Sequence, residues 1–205
     1  MSSPFSTMAT PIFKNNPVLV QVLGICSSLA VTTNVSTGLT MGISVTAVVA
    51  LSNLILSSMR NWIPGKIRMI VELIVIAVLV IITDQVLKAY AFDVSKRLSV
   101  FVALIITNCI VMGRVEAFAL ANKPLPSLLD GIGNGLGYGA VLLLVSTVRE
   151  IAGSGTWFGL QVVPQAAYEA GYSNMGLMVL APGAFFLIAL LAWAQTEFLL
   201  RKGGK

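Results

Sequence analysis

Long apolar runs alternate with short polar interruptions along the chain, and six such runs can be separated. Their limits are 17–32, 39–59, 69–87, 98–112, 128–148 and 177–199. A helix needs roughly 20 mostly apolar residues to cross the hydrocarbon core of a bilayer. The polar stretches NWIPGK, DVSKR and NKPLPS mark turns between the runs. The pattern therefore predicts an all-α integral membrane protein with six transmembrane segments in a single membrane domain, residues 1–205.

Two of the six runs, 17–32 and 98–112, are short and carry polar residues in their middle. Each contains one of the two cysteines, Cys26 or Cys109, and each is followed by two longer spans. The chain thus divides into two halves of three segments, roughly 12–90 and 96–200. Because three is odd, the second half enters the membrane with the opposite orientation, which is an inverted repeat. In such repeats interrupted segments point to the functional site, so we expect segments one and four to be broken near the midplane.

The spacing to each cysteine is the same. Nine steps separate Pro17 from Cys26, and nine separate Val100 from Cys109. If these stretches are helical, nine steps span roughly 14 Å, about half of a 30 Å core. Both thiols would then reach the bilayer centre from opposite faces, with Asn108 marking the break beside Cys109. The alternative is that both cysteines are small apolar filler, a common use of buried cysteine.

Composition supports the membrane assignment. Hydrophobic residues make up 57% of the chain and charged residues 10%, whereas soluble domains carry about 25% charged residues. The net charge of +5 comes from scattered single Lys and Arg residues, which does not indicate nucleic-acid binding. The absence of His excludes His-ligated metals and His proton relays.

Basic residues are unequally divided between the two predicted sides of the membrane. One side carries nine: Lys14, Arg60, Lys66, Arg68, Arg114, Lys123, Arg201, Lys202 and Lys205. The other carries four: Lys88, Lys96, Arg97 and Arg149. The positive-inside rule then predicts that both termini are cytoplasmic.

Two thiols at the midplane suit few metal sites by themselves. Structural zinc takes four protein ligands, and no His is present to complete the set. An iron–sulfur cluster is held by four Cys thiolates. The chain supplies two, so the other two would come from a second copy or a related partner at an interface between chains. A disulfide is the remaining possibility from the residues alone.

Three stretches carry a family resemblance: NNPVLVQVLGICSSLAVTT, LIITNCIVMGRVEAFA and PSLLDGIGNGLGYG. They resemble the Nqr D/E and Rnf A/E family of membrane subunits, over nearly the whole chain. DQVLKAY and DGIGNGLGYG look closer to the Nqr type than to the Rnf type, and to its D-type members.

The resemblance implies a subunit of the sodium-translocating NADH:quinone oxidoreductase of the bacterial inner membrane. In that complex two homologous chains of opposite orientation, the D-type and the E-type, form a pseudo-symmetric pair and hold a [2Fe-2S] cluster between them with two Cys each. Carried over to this chain, the ligands are Cys26 and Cys109. The resemblance also implies the A-, B-, C- and F-type chains of Nqr as partners, electron transfer from NADH to quinone, and outward sodium transport. No flavin-attachment motif or complete active site is evident in the sequence, so we expect the chain to act only as part of the complex.

Acidic residues near apolar runs are candidates for a sodium path, because intramembrane acids often mark ion pathways. Asp130, Asp84 and Glu116 are these candidates. The simpler interpretations are that Asp84 pairs with Lys88 four residues later and that Asp130 caps the start of the fifth span. Whether Arg114 and Glu116 find partners within the chain or in another chain of the complex stays open.

The glycine spacing of GIGNGLGYG, residues 131–139, resembles that of a nucleotide-binding motif. Such a motif follows a strand, and no strand is predicted before this one. Gly131, Gly135 and Gly139 fall four residues apart on one helix face. Small residues at that spacing allow membrane helices to approach closely. We therefore predict close helix packing here.

Three other functions remain open from the residues. The first is a subunit of an Rnf-type ferredoxin:NAD oxidoreductase, the second is a small secondary transporter built on inverted repeats, and the third is a purely structural membrane subunit. A transporter has no need of thiols at equivalent positions in both halves, so Cys26 and Cys109 discriminate between these classes.

Overall fold

The computed structural model describes residues 16–90, 102–158, 160–161 and 175–203, which are mostly helical. The helices are α1 (Ile25–Val31), α2 (Val35–Met59), α3 (Arg68–Tyr90), α4 (Val102–Ile106), α5 (Cys109–Arg114), α6 (Pro124–Ser154), α7 (Gly176–Val179) and α8 (Ala181–Gly203). A π-helical turn, Val115–Ala119, continues α5. A two-residue hairpin of β1 (Thr156–Trp157) and β2 (Leu160–Gln161) follows α6 and departs from the all-α prediction.

Within the described residues, four helices are long and apolar enough to cross a membrane. They are Val35–Met59, Arg68–Ala89, Pro124–Ser154 and Ala181–Arg201. These helices correspond to the second, third, fifth and sixth predicted segments, and the first three begin before the predicted limits. The prediction of a helical integral membrane protein is confirmed. The first and fourth segments are short helices instead: α1 alone, and α4 followed by α5.

The sixth predicted segment, 177–199, is not continuous. Leu180 is extended, with ψ 158°, and separates α7 from α8. Pro182 in the first turn of α8 explains the break, because its ring would clash with the carbonyl of Met178 in a continuous helix. The chain also folds back tightly here, since a Cβ on Gly183 would lie 2.6 Å from the carbonyl oxygen of Leu177.

Helices α2 and α6 form the centre of the molecule. More than half of the apolar stretch of each is buried, whereas most of the apolar stretch of α3 and of α8 is exposed. A Cβ on Gly131 would lie 2.8 Å from the Cα of Ala50, and one on Gly135 would lie 2.6 Å from the Cα of Thr46. The backbones of α2 and α6 therefore approach as the glycine spacing predicts, and the prediction of close helix packing is confirmed.

The outer long helices pack across the two halves of the sequence. Helix α3, which ends the first half, packs against α4 and α5 of the second half. Helix α8, which ends the second half, packs against α1 of the first half. The short helices are thus enclosed by the core pair on one side and by the opposite half's third helix on the other.

Candidate functional site

Cys26 lies in the first turn of α1, and the chain before it is not helical. The backbone N–H groups of Val18 and Leu19 donate to Asn16 Oδ1, at 3.0 and 3.3 Å, in a compact turn. Gly24, with φ 78°, immediately precedes the helix. The expectation of nine helical residues leading up to Cys26 is therefore wrong. A left-handed Gly24 favours helix initiation after it, not continuation through it.

Cys109 is the first residue of α5, directly after a break between α4 and α5. Asn108 is extended, with φ −69° and ψ 121°, and its Oδ1 accepts a hydrogen bond from the N–H of Ile110 at 3.3 Å. An Asn in this conformation is a favourable helix N-cap. The predicted break at Asn108 is thus confirmed. Val100, the starting point of the second spacing argument, lies outside the described residues.

The two helix starts contact each other through the residues beside the cysteines. Asn108 Nδ2 donates to Ser27 Oγ at 3.2 Å. The hydroxyl oxygen of Tyr138, on α6, is hydrogen-bonded to the same Ser27 oxygen at 2.6 Å. Ser27 follows Cys26 and Asn108 precedes Cys109, so the two cysteines belong to adjoining turns from opposite halves. Both thiols are free and exposed, which is opposite to the buried filler interpretation.

These two thiols are not joined by further metal ligands within the described residues. No group of three or more Cys, Asp or Glu side chains close enough to hold a metal ion occurs there. Within the described residues the arrangement offers two exposed sulfur atoms as possible soft donors.

Arg114 and Asp130 form a buried ion pair beyond Cys109. Arg114 Nε donates to Asp130 Oδ2 at 3.0 Å, and Nη2 donates to Oδ1 at 2.6 Å. Asn134 Nδ2 also donates to Asp130 Oδ1, at 3.1 Å. Asp130 lies well inside α6, which begins at Pro124, so the suggestion that it caps that span is wrong.

The other two acidic candidates also have basic partners. Lys88 Nζ lies 2.6 Å from Asp84 Oδ2, which confirms the predicted pair. Arg68 donates to Glu116 in the π-helical turn, and its Nε lies 3.4 Å from the fully buried Glu72. The structure therefore does not bring Asp130, Asp84 and Glu116 together in one cluster. Each sits in a separate ion pair.

Arg149, which the sequence pattern assigned to the end of the fifth span, is buried inside the protein. It is 2% exposed and donates to the carbonyls of Leu29, Met178 and Val179, at 3.2, 2.9 and 2.7 Å. It also donates to Thr32 Oγ1 at 2.6 Å. These acceptors lie at the C-terminal ends of α1 and α7, where helix carbonyls lack partners.

The role of Glu150 as a helix cap was also not predicted from the sequence. Its Oε2 accepts the N–H of Val35 at 2.6 Å, at the first residue of α2. A carboxylate there satisfies a free amide and complements the helix dipole. The only sequence signal for this pair is an Arg-Glu dipeptide ending an apolar run, which equally fits a solvent-facing span end.

Comparison with known proteins identifies the family of this chain. The family model "Rnf-Nqr subunit, membrane protein" matches residues 4–192. The D-type subunit of the Na(+)-translocating NADH-quinone reductase of Aeromonas hydrophila subsp. hydrophila is 60% identical over 186 residues, which is 91% of this chain and 89% of the relative. The protein of the same name from Aeromonas salmonicida is 60% identical with the same coverage. With a match over most of its length and relatives at this identity, the chain belongs to the Rnf-Nqr family of membrane subunits.

Proposed function

We propose that this chain is a membrane electron-transfer subunit of a sodium-translocating NADH:quinone reductase. In this proposal Cys26 and Cys109 supply half of the ligands of a [2Fe-2S] cluster, and the homologous E-type chain of the complex supplies the rest. The relatives at 60% identity are named as the D-type subunit of such an enzyme. The identity covers 91% of the chain, so the likeness is not confined to one segment.

The observation that carries the proposal is the meeting of the two cysteine-bearing helix starts. Cys26 and Cys109 come from opposite halves, 83 positions apart by their numbers. They flank Ser27 and Asn108, whose side chains are hydrogen-bonded to each other at 3.2 Å. Filler cysteines have no reason to be paired in this way or to face outward.

The donor set fits such a cluster as a half-site. Thiolates are the ligands of iron–sulfur clusters, and a [2Fe-2S] cluster takes four of them. With only two cysteines in the sequence, a second chain must complete the set. When bound, the cluster supplies one-electron transfer. This chain's part is to present Cys26 and Cys109 on an exposed surface where a partner's thiols can join them.

The packing supports the inverted repeat that we propose for the two halves. The second segments of both halves, α2 and α6, form the core pair. The third segment of each half packs on the first segment of the other. This reciprocal arrangement is what a twofold axis in the membrane plane generates. In the proposal, the broken segments one and four meet at that axis and near the midplane.

We place Asp130, Asp84 and Glu116 along a sodium path. Each carboxylate already contacts a basic side chain, Arg114, Lys88 or Arg68 respectively. Sodium would therefore compete with a resident cation for the same oxygens.

The proposed setting is the bacterial inner membrane, with both termini cytoplasmic and with the A-, B-, C- and F-type chains of Nqr as further partners. Burial of Arg114 and Arg149 removes one basic residue from each predicted side. The charge asymmetry that supports this orientation is therefore kept.

The test is replacement of each cysteine by alanine, which has no ligand atom, in the whole complex. We expect Cys26→Ala and Cys109→Ala each to lose the EPR signal of one cluster, about two iron atoms per complex, and quinone reduction. Ala30→Ser, which changes a small side chain elsewhere on α1, is the matched control and keeps all three. If both cysteine variants retain full iron content and electron transfer, the proposal is wrong and a transporter or structural role gains support. Quinone reduction driven by NADH separates this function from the Rnf type, whose donor is ferredoxin.

A further inference from the structure

The side chain of Tyr138 contacts the residues on both sides of Cys26, Gly24 in the turn before it and Ser27 after it. Tyr138 lies on α6, is fully buried, and places its hydroxyl 2.6 Å from Ser27 Oγ. Its ring also packs against the turn before α1, since a Cβ on Gly24 would lie 3.0 Å from Tyr138 Cε2. One residue of the core helix thereby fixes both the backbone and the side chain beside Cys26.

Ser27 lies at the centre of a small set of hydrogen bonds. A hydroxyl has one donor and two acceptor positions. Asn108 Nδ2 fills one acceptor position of Ser27 Oγ. The carbonyl of Gly24, at 2.9 Å, and the hydroxyl of Tyr138, at 2.6 Å, are the other partners of this oxygen, and either hydroxyl can donate in the Ser27–Tyr138 bond. Ser27 therefore has a partner for each of its three positions.

Asn108 closes the connection on the other helix. Its Nδ2 donates to Ser27, while its Oδ1 caps α5 through the N–H of Ile110. The amide thus links the start of α5, where Cys109 lies, to the start of α1, where Cys26 lies. A buried network in which each member is satisfied holds a unique geometry more firmly than isolated bonds do.

We propose that Tyr138 is a positioning residue for the metal site, acting through Ser27 and Asn108 to set the spacing of the Cys26 and Cys109 thiols. This inference rests on the proposed function, because the spacing matters most when the two sulfurs hold one cluster. The reduction potential of an iron–sulfur cluster depends on its ligand environment and its exposure to solvent. Loss of the Tyr138 hydroxyl releases one constraint on α1 without touching either thiol.

The experiment is a redox titration of the intact complex, followed by low-temperature EPR, with Tyr138→Phe and Ser27→Ala. We expect both variants to keep the iron of the wild type. Their cluster signal should be shifted and broadened, with a threefold to tenfold change in the equilibrium between oxidised and reduced cluster, roughly 28 to 59 mV for one electron. The double variant should change little beyond the larger single effect, because the two residues belong to one network.

Thr147→Val is the matched control. It also removes a hydroxyl from α6, but that hydroxyl donates only within its own helix, to Leu143 at 2.8 Å. Its spectrum and potential should equal those of the wild type.

Failure of the inference and failure of the proposed function give different results. If Cys26→Ala removes the cluster but Tyr138→Phe and Ser27→Ala both leave its spectrum and potential unchanged, only the positioning role is overturned. If Tyr138→Phe does not assemble, Ser27→Ala decides alone. If the cysteine variants keep the cluster, the proposed function fails and this inference fails with it.

Discussion

Arg114 binds Asp130 with two parallel hydrogen bonds, Nε to Oδ2 at 3.0 Å and Nη2 to Oδ1 at 2.6 Å. Two nitrogens of a planar guanidinium facing two carboxylate oxygens is the strongest geometry for such a pair. The pair connects α5 to α6 immediately beyond Cys109. It also explains why an apolar segment ends in charged residues: Arg114 has its partner on α6 and Glu116 has its partner, Arg68, on α3.

The first prediction concerns the cost of separating that pair. Asp130→Leu leaves the Arg114 guanidinium buried without its counterion, and removing one member of a buried pair typically costs about 3–5 kcal/mol. We expect the variant chain to dissociate from the complex at a lower temperature than the wild-type chain. The measurement is the amount of chain that remains in the complex after heating. The double variant Arg114→Met/Asp130→Leu, which removes both charges, should recover most of the loss. A single variant as heat-resistant as the wild type would contradict the structural role.

The same double variant tests the proposed sodium path at Asp130. Because the double variant has no unpaired charge, a change in its sodium response does not come from an arginine left without its counterion. If Asp130 binds sodium in transit, the sodium concentration for half-maximal turnover should rise. An unchanged sodium response removes Asp130 from the path and leaves Asp84 and Glu116, which Asp84→Asn and Glu116→Gln test in the same assay.

The second prediction concerns the contact between α2 and α6. Gly135→Ala places a Cβ 2.6 Å from the Cα of Thr46, which forces the two backbones apart. Overpacking of this kind costs about 1–3 kcal/mol, and we expect a matching decrease in the temperature at which the chain is lost from the complex. Gly65→Ala is the control, since a Cβ there meets nothing within 4 Å. If the two variants are equally heat-resistant, the close approach of α2 and α6 does not restrict the size of the residue at position 135.

Some of these features follow from the sequence because their causes are local. Glycines spaced by four on an apolar helix predict a close approach, and Gly131 and Gly135 make one. An Asn between two apolar stretches favours a helix break followed by a new cap, and Asn108 provides both. In each case the residue type itself restricts the backbone or the packing, so no knowledge of distant partners is needed.

Other features depend on contacts that the sequence does not display. The turn before α1 is set by Gly24 against Tyr138, more than a hundred positions away. Arg149 and Glu150 look like the charged end of a span, but Arg149 binds the ends of the short helices α1 and α7, and Glu150 binds the start of α2. Periodicity identifies the long helices and gives no information on which charges close the broken ones.

The third prediction follows from the buried position of Arg149. Arg149→Met keeps much of the side-chain volume but leaves the carbonyls of Leu29, Met178 and Val179 without this donor. Each buried group left unsatisfied costs about 1–3 kcal/mol. We therefore expect poor retention of the chain in the complex and, if α1 shifts, loss of the EPR signal of the proposed cluster.

Arg149→Lys should restore only part of this stability, because an ammonium group cannot reproduce the spread of the guanidinium nitrogens. The control is Arg201→Met, an exposed arginine that pairs with Glu197 four residues earlier. Such surface pairs contribute little, so its heat resistance should match that of the wild type. If Arg149→Met behaves like Arg201→Met, the bridging of α1 and α7 is not important for stability.

The fourth prediction separates the charge of Glu150 from its hydrogen bond. Glu150→Gln keeps an acceptor oxygen for the N–H of Val35, whereas Glu150→Ala removes it. A lost cap costs about 0.5–2 kcal/mol, and the dipole contribution of a charge alone is about 0.3–1 kcal/mol at an exposed site. We therefore expect the heat resistance of the complex to fall in the order wild type, Glu150→Gln, Glu150→Ala. If the Gln variant is as damaging as the Ala variant, the negative charge of Glu150 rather than its hydrogen bond stabilises the start of α2. The difference in heat resistance between the wild type and the Gln variant should then persist at high salt, because Glu150 is only 3% exposed and salt screens buried charges weakly.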